Sequence, residues 1–315
     1  MKQPLIILTG PTAVGKTELS IALAKAVNGE IISADSMQVY KYMDIGTAKI
    51  MPEEMQGVKH YLVDELAPDE DFNVVRFAQM AREAMEEIYA KGKIPILVGG
   101  TGFYIQAVLY GIDFTENEED KAFRQSLEKI AQEQGELVLH EKLKEVDPAS
   151  AKAIHPNNVK RVIRALEYFE QTGEPISAHN DRERQKESPY NAAYFVLTND
   201  REVLYDRINQ RVDKMLEAGL LEEVKGLLER GYKKEMVSMQ GLGYKEIIDY
   251  LEGNITLEEA VYILKRDTRH FAKRQLTWFR RERDVVWFDK REFASEAALL
   301  DAMLQKLKIQ TIISE

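Results

Sequence analysis

The octapeptide Gly10-Pro11-Thr12-Ala13-Val14-Gly15-Lys16-Thr17 limits what this chain can fold into more than any other stretch. It follows the apolar run Leu5-Ile6-Ile7-Leu8 and leads into Glu18-Leu19-Ser20-Ile21-Ala22-Leu23-Ala24, giving a buried strand, a glycine-rich turn and a helix start in that order. Such a turn gathers backbone N–H groups at a helix N-terminus, where they attract a pyrophosphate. All eight residues are therefore candidates for holding a diphosphate or nucleotide. Lys16 adds a mobile positive charge, and Thr17 offers its hydroxyl to a phosphate-bound Mg²⁺.

The first hundred residues alternate short apolar runs with helical patterns, as a parallel α/β sheet requires. The fold class this predicts is α/β: a P-loop NTPase-like parallel sheet flanked by helices, with an all-helical insertion. Strands are expected at Leu5 to Leu8, Glu30 to Ser33, His60 to Val63 and Ile94 to Val98. Helices are expected at Lys16 to Val27 and Val74 to Tyr89. Gly99-Gly100-Thr101-Gly102 repeats the strand-to-turn pattern before a helix from Phe103 to Leu109, so two strand ends face one crevice. The acidic run Thr115-Glu116-Asn117-Glu118-Glu119-Asp120 has no apolar anchor and is expected as a hinge. From there the patterns are helical, including Asn157 to Gln171 closed by Gly173, and the polar stretch Asn180 to Ser188 is expected as a second linker. Ala193 to Leu197 returns as a strand. Helices from Glu202, Glu222, Lys245 and Leu257, a strand Val285 to Phe288 and a terminal helix complete the chain. The division is a catalytic core of residues 1–115 and 190–315 and an insertion of residues 116–189.

Without cysteine, the chain excludes structural disulfides, cysteine zinc sites and thiol nucleophiles. Catalysis must use oxygen and nitrogen groups or a bound metal ion. No targeting segment or bilayer-length apolar stretch is evident, so a cytoplasmic protein with no membrane association is expected. A net charge of −10 argues against a nucleic-acid partner only if the charge is evenly spread. It is not. Lys265 to Arg283 holds eight Lys or Arg against two acids, and Arg266, Lys273 and Arg280 fall on one helical face while Leu264, Phe271 and Phe279 can pack inward. A second cluster, Lys160-Arg161 with Arg164, lies in the insertion. On charge alone a solvated helix face and a binding face are equally good readings of the first cluster, but two basic surfaces on an acidic protein suggest a polyanion gripped at two places. Trp278 and Tyr244 are expected in the core.

The second strand ends in Ser33-Ala34-Asp35-Ser36-Met37-Gln38. A carboxylate there sits within reach of whatever the phosphate loop holds, as a Mg²⁺ ligand or as a general base. The strand Ile94 to Val98 runs into Gly99-Gly100-Thr101 where a kinase usually carries an acidic residue, which counts against ATP hydrolysis. Thr101 offers a hydroxyl there instead.

The segments GPTAVGKT, SADSMQVYKYMDIGTAK, VGGTGFYI, HPNNVKRVIRALE, GLGYKE and TRHFAKRQLTWFR, in this order, resemble the bacterial tRNA dimethylallyltransferases, or tRNA isopentenyltransferases, over nearly the whole chain. The resemblance implies transfer of a dimethylallyl group from dimethylallyl diphosphate to the exocyclic amine of the adenosine just 3′ of the tRNA anticodon, position 37, with Mg²⁺ required. It implies that the ATP-like loop holds the prenyl diphosphate, with Lys16 assisting its departure. Asp35 is then the base and Thr101 lies at the diphosphate and target nucleotide. Asp35, Ser36, Met37 and Gln38 would contact the extruded adenosine. Arg124, Lys160, Arg161, Val162, Ile163 and Arg164 of the insertion match positions that contact the tRNA anticodon stem-loop, and Lys273 and Arg274 are assigned to tRNA as well. No obligate protein partner is implied. The chain departs from the pattern at Gln240, where many members carry an arginine that assists the diphosphate; either Gln240 or Lys245 is left to serve it. A small-molecule kinase, a nucleotide-gated RNA-binding module and an enzyme prenylating free adenine nucleotides are the rival readings.

Overall fold

Alternating strands and helices open the chain: β1 (Pro4–Thr9), α1 (Lys16–Val27), β2 (Gly29–Ala34), β3 (His60–Tyr61), α2 (Val74–Ala90), β4 (Ile94–Gly99) and α3 (Gly102–Leu109). Five helices follow: α4 (Lys121–Gln134), α5 (Glu136–Val146), α6 (Pro148–Ala153), α7 (Val159–Thr172) and α8 (Ile176–Gln185). The chain then forms β5 (Asn191–Thr198), α9 (Arg201–Glu217), α10 (Leu220–Glu229), α11 (Tyr244–Leu251), α12 (Leu257–Phe279), β6 (Val285–Asp289) and α13 (Glu296–Ile309). This computed structural model describes residues 2–112 and 121–313. The acidic run expected as a hinge, Thr115 to Asp120, lies outside the described residues.

The strands form one parallel sheet in the order β3-β2-β4-β1-β5-β6. Leu5 to Leu8 of β1 are wholly inaccessible, which is why that strand reads as an unbroken apolar run: helices cover both faces of a central parallel strand. On one face Leu19, Leu23 and Ala24 of α1 share a core with Leu299, Met303 and Leu307 of α13. The third strand is shorter than its apolar pattern suggested, ending at Tyr61 because Leu62 and Asp64 turn into left-handed conformations. Lys49 then binds Asp64 at 3.0 Å. A short edge strand also leaves little unpaired backbone.

Packing separates two units, Met1–Gly111 with Ser188–Glu315, and Ile112–Glu187. The first contains the sheet. The second is helical, with Leu127, Leu139, Leu143, Val162, Ile163, Ala165 and Leu166 in its core. The linker expected from Asn180 to Ser188 is corrected here, because α8 continues to Gln185. Its start is fixed by Asp147, whose carboxylate accepts from the Ser177 amide at 2.9 Å and the Ser177 hydroxyl at 2.6 Å. Asp147 also caps α6 through the Ser150 amide. These are polar anchors, which an apolar periodicity does not reveal.

Candidate active site

Strand register decides what meets at the top of the sheet. Thr9 of β1 and Ala34 of β2 both lie opposite Gly99 of β4, so the segments starting at Gly10, Asp35 and Gly100 leave three adjacent strands at one level. The Thr9 hydroxyl donates to the Gly99 carbonyl at 2.7 Å, and the Thr101 amide donates to the Ala34 carbonyl at 3.2 Å. From α12, the buried Gln275 joins the two glycine-rich turns: its Oε1 accepts from the Thr12 amide at 2.8 Å and its Nε2 donates to the Gly100 carbonyl at 3.0 Å. The close approach requires glycine, since a Cβ at position 100 would stand 2.1 Å from Gln275 Nε2.

The loop Gly10, Pro11, Thr12, Ala13, Val14, Gly15, Lys16 and Thr17 is held open by backbone conformation. Gly10 has φ +147° with Leu197 backbone close against it, and Ala13 and Gly15 are left-handed at φ 64° and 92°. Val14 is fully buried and serves as the anchor. Helix α1 starts after Gly15 with no side-chain cap, so its first-turn amides are available to an anion. Thr17 is exposed, and among the described residues its hydroxyl makes no hydrogen bond.

Lys16 folds back on the loop, its Nζ 2.9 Å from the carbonyls of both Gly10 and Pro11. Burial lowers its pKa to about 7, Arg211 pushes it the same way, and Asp35 opposes. Arg211, from α9, places Nη1 3.3 Å from the Thr12 hydroxyl. Asp35 lies half-buried at the mouth of β2, where Oδ1 accepts from the amides of Met37 at 2.8 Å and Gln38 at 3.3 Å. Among the described residues its Oδ2 receives no hydrogen bond. Desolvation raises the Asp35 pKa, against the two amides and the charges of Lys16 and Arg211. A carboxylate made more basic and left with one free oxygen beside two cations is suited to taking a proton while negative charge develops at the loop. Ser36 and Met37 are half-buried beside it, and Gln38 is tied down by the Ser33 hydroxyl at 3.2 Å and by donation to the Ala48 carbonyl. Thr101 is partly exposed and does not use its hydroxyl to cap α3.

Arg211 and Gln275 were not legible as site residues. Arg207 and Arg211 are one helical turn apart on α9, which is the only sequence signal, and only the fold brings that face to the loop. Arg211 is a cation beside the loop that the sequence pattern did not single out. Gln240 is exposed and donates to the Lys234 carbonyl, while Lys245 lies 3.5 Å from Glu246. Among the described residues neither bonds to the loop.

On α12, Lys273 and Arg274 are exposed and line, with His270, Thr277, Trp278 and Arg281, an open groove of about 420 Å³. Leu264 and Phe279 pack inward, and Phe271 is half-buried. Tyr244 is a core residue, as expected; Trp278 is only partly buried and meets Phe103 edge to face.

In the helical unit, Lys160, Arg161 and Arg164 are exposed on α7. Val162 and Ile163 differ from these three: both are buried, at 0% and 4% exposure, in the core of that unit, because the apolar face of α7 passes through them. Arg124 is held in a two-pronged pair with Glu167, at 2.8 and 2.9 Å. Among the described residues no three His, Asp or Glu converge on a metal position. No described helix is long and apolar enough to cross a membrane.

Comparison with known proteins adds to this geometry. A model of the IPP transferase family matches residues 38–282. The tRNA dimethylallyltransferase of Lachnoclostridium phytofermentans is 67% identical over 311 residues, 99% of each chain. Among solved structures, the full-length tRNA isopentenylpyrophosphate transferase of Bacillus halodurans matches with 47% identity and a TM-score of 0.73 over 98% of both chains. A eukaryotic dimethylallyltransferase captured acting on tRNA matches with 30% identity and a TM-score of 0.80, over 98% of this chain and 80% of that one.

Proposed function

This chain belongs to the IPP transferase family, and from that premise we propose that it transfers a dimethylallyl group from dimethylallyl diphosphate to the exocyclic amine of the adenosine next to the anticodon of tRNA, position 37. The observation that carries the reading is the level row Thr9, Gly99 and Ala34, which sets a phosphate loop, a threonine and a basic carboxylate around one crevice.

In the reaction, the N6 lone pair attacks C1 of the dimethylallyl group, the C–O bond to the diphosphate breaks, and its electron pair leaves on the diphosphate oxygen. Loop amides, Lys16 and Arg211 stabilise that charge where it develops. Asp35 Oδ2 takes the proton released by N6. Thr101 orients the phosphate oxygen or the nucleotide. The segment Ser36 to Gln38 holds the extruded base, and Lys160, Arg161, Arg164, Lys273 and Arg274 neutralise tRNA phosphates.

Mg²⁺ fits this donor set as a companion of the diphosphate: Thr17 would supply a hydroxyl, and substrate oxygens and water would supply the remainder, as is usual for an ion bound with few protein ligands. When bound, it adds positive charge against the leaving group.

The test is incubation with Mg²⁺, unmodified tRNA and labelled dimethylallyl diphosphate, followed by nuclease digestion and mass analysis of the nucleosides. A prenyl mass on the adenosine beside the anticodon is expected. Label transferred from ATP to a small acceptor, with no prenyl transfer, would overturn the reading.

A further inference from the structure

Three successive backbone amides converge on one carboxylate that the chemistry above does not use. Glu223, on α10, accepts from the amides of Asp44 at 2.8 Å and Ile45 at 2.7 Å through Oε2, and from Gly46 at 3.0 Å through Oε1. The hydroxyl of the fully buried Tyr244 completes the set at 2.7 Å from Oε1. Consecutive amides of this kind form an anion cradle, and here the anion belongs to the protein. Gly46 also lies against the Tyr244 ring, where a Cβ would stand 2.6 Å from its carbons.

The cradle leads to the reacting groups. Thr47 and Ala48, directly after it, offer their carbonyls to Gln38 Nε2 at 3.4 and 3.2 Å. The Gln38 amide donates to Asp35 Oδ1 at 3.3 Å. The first link joins the segment 35–48 to α10, and the later links lie within that segment.

We propose that Glu223 is a positioning residue for the transfer, its carboxylate fixing the Asp44–Gly46 backbone so that Gln38 holds Asp35 at the angle the incoming amine requires. The inference rests on the reading that Asp35 takes the N6 proton. Small misplacements of a catalytic group are costly in turnover and need not alter binding at a separate site. Glu223→Gln keeps the shape but turns an NH₂ toward N–H donors.

Transfer to unmodified tRNA is measured for the wild type, Glu223→Gln, Asp35→Asn and the double variant. Glu223→Gln is expected to lower kcat by about tenfold or more, with KM for dimethylallyl diphosphate changed less than about twofold. In the double variant the second substitution is expected to add almost nothing to Asp35→Asn, because one acts through the other. Wild-type kcat in Glu223→Gln, a KM that rises as kcat falls, or losses that multiply in the double variant would overturn the proposal. If Glu223→Gln does not fold, Tyr244→Phe in both backgrounds makes the same comparison. An inactive wild type defeats the transferase reading and this inference with it; an active wild type with multiplying losses defeats only the role of Glu223.

Discussion

The guanidinium of Arg211 stands 3.3 Å from the hydroxyl of Thr12, which closes a cation from α9 onto the phosphate loop. It is held there while mostly withdrawn from water, and its field reaches both Lys16 and Asp35. Fixed charge aimed at a leaving group acts in the transition state, where it is most effective. Arg211→Gln is expected to reduce single-turnover prenyl transfer by about a hundredfold to a thousandfold. Arg211→Lys should recover only part, since an ammonium lacks the planar fork. A rate within twofold of wild type in Arg211→Gln would remove the residue from the mechanism.

Asp35→Asn keeps the shape and can still accept from the Met37 and Gln38 amides, but it removes the base. Turnover is expected to fall by about a hundredfold or more, with diphosphate affinity by calorimetry nearly intact. Because desolvation raises the Asp35 pKa, and the carboxylate form is the active one, kcat/KM in the wild type should decline as pH falls through a value above the ordinary aspartate range. A flat acid limb down to the ordinary range would contradict this assignment.

Lys16 gives a second pH signature with the opposite sense. Its pKa of about 7 in the unliganded protein means the ammonium is lost as pH rises, and a bound diphosphate should restore it, because an adjacent negative charge favours the charged form. At pH 8 about nine-tenths of the molecules start with neutral Lys16, so binding should take up close to one proton; at pH 6 uptake should be near zero. Titration calorimetry in buffers of different ionisation enthalpy reads this number directly. Equal uptake at the two pH values would show that Lys16 is charged throughout.

Much of this arrangement was readable because it is local. A buried strand, a glycine turn and a helix start lie within residues 4–27, and the same pattern recurs from Ile94 to Leu109. Asp35 could be placed because it ends a strand. What escaped the sequence came from distance or from polarity. Arg211 and Gln275 reach the loop from helices far downstream, and no periodicity says which helix face will meet which turn. Helix α8 has almost no apolar residues, so its polar sequence read as a linker. Within the contiguous motif on α7, Val162 and Ile163 are buried, because a helix turns its residues to different faces.

That same helical geometry leaves Lys160, Arg161 and Arg164 exposed on α7. Replacing all three with alanine should weaken tRNA binding and reduce the slope of log affinity against log salt by about 2 to 3, if each contacts one phosphate. Affinity for the small diphosphate should not change. An unaltered salt slope would mean that this face does not hold RNA.

Gln275 tests the construction of the site from below. Its amide supplies an acceptor to Thr12 and a donor to Gly100, at 6% exposure, so it links the phosphate loop to the turn that carries Thr101. Gln275→Leu is close in volume but leaves an amide and a carbonyl without partners. Each group left unsatisfied costs about 1–3 kcal/mol when buried, so unfolding free energy should drop by about 2–6 kcal/mol, toward the lower end because the Thr12 amide is only part-buried. Diphosphate affinity should fall as well, because the Thr12 amide is no longer aimed by its acceptor and the two turns can separate. Denaturant unfolding and calorimetry on the same preparation check both effects. A variant as stable as wild type, with unchanged affinity, would show that the loop holds its form without α12.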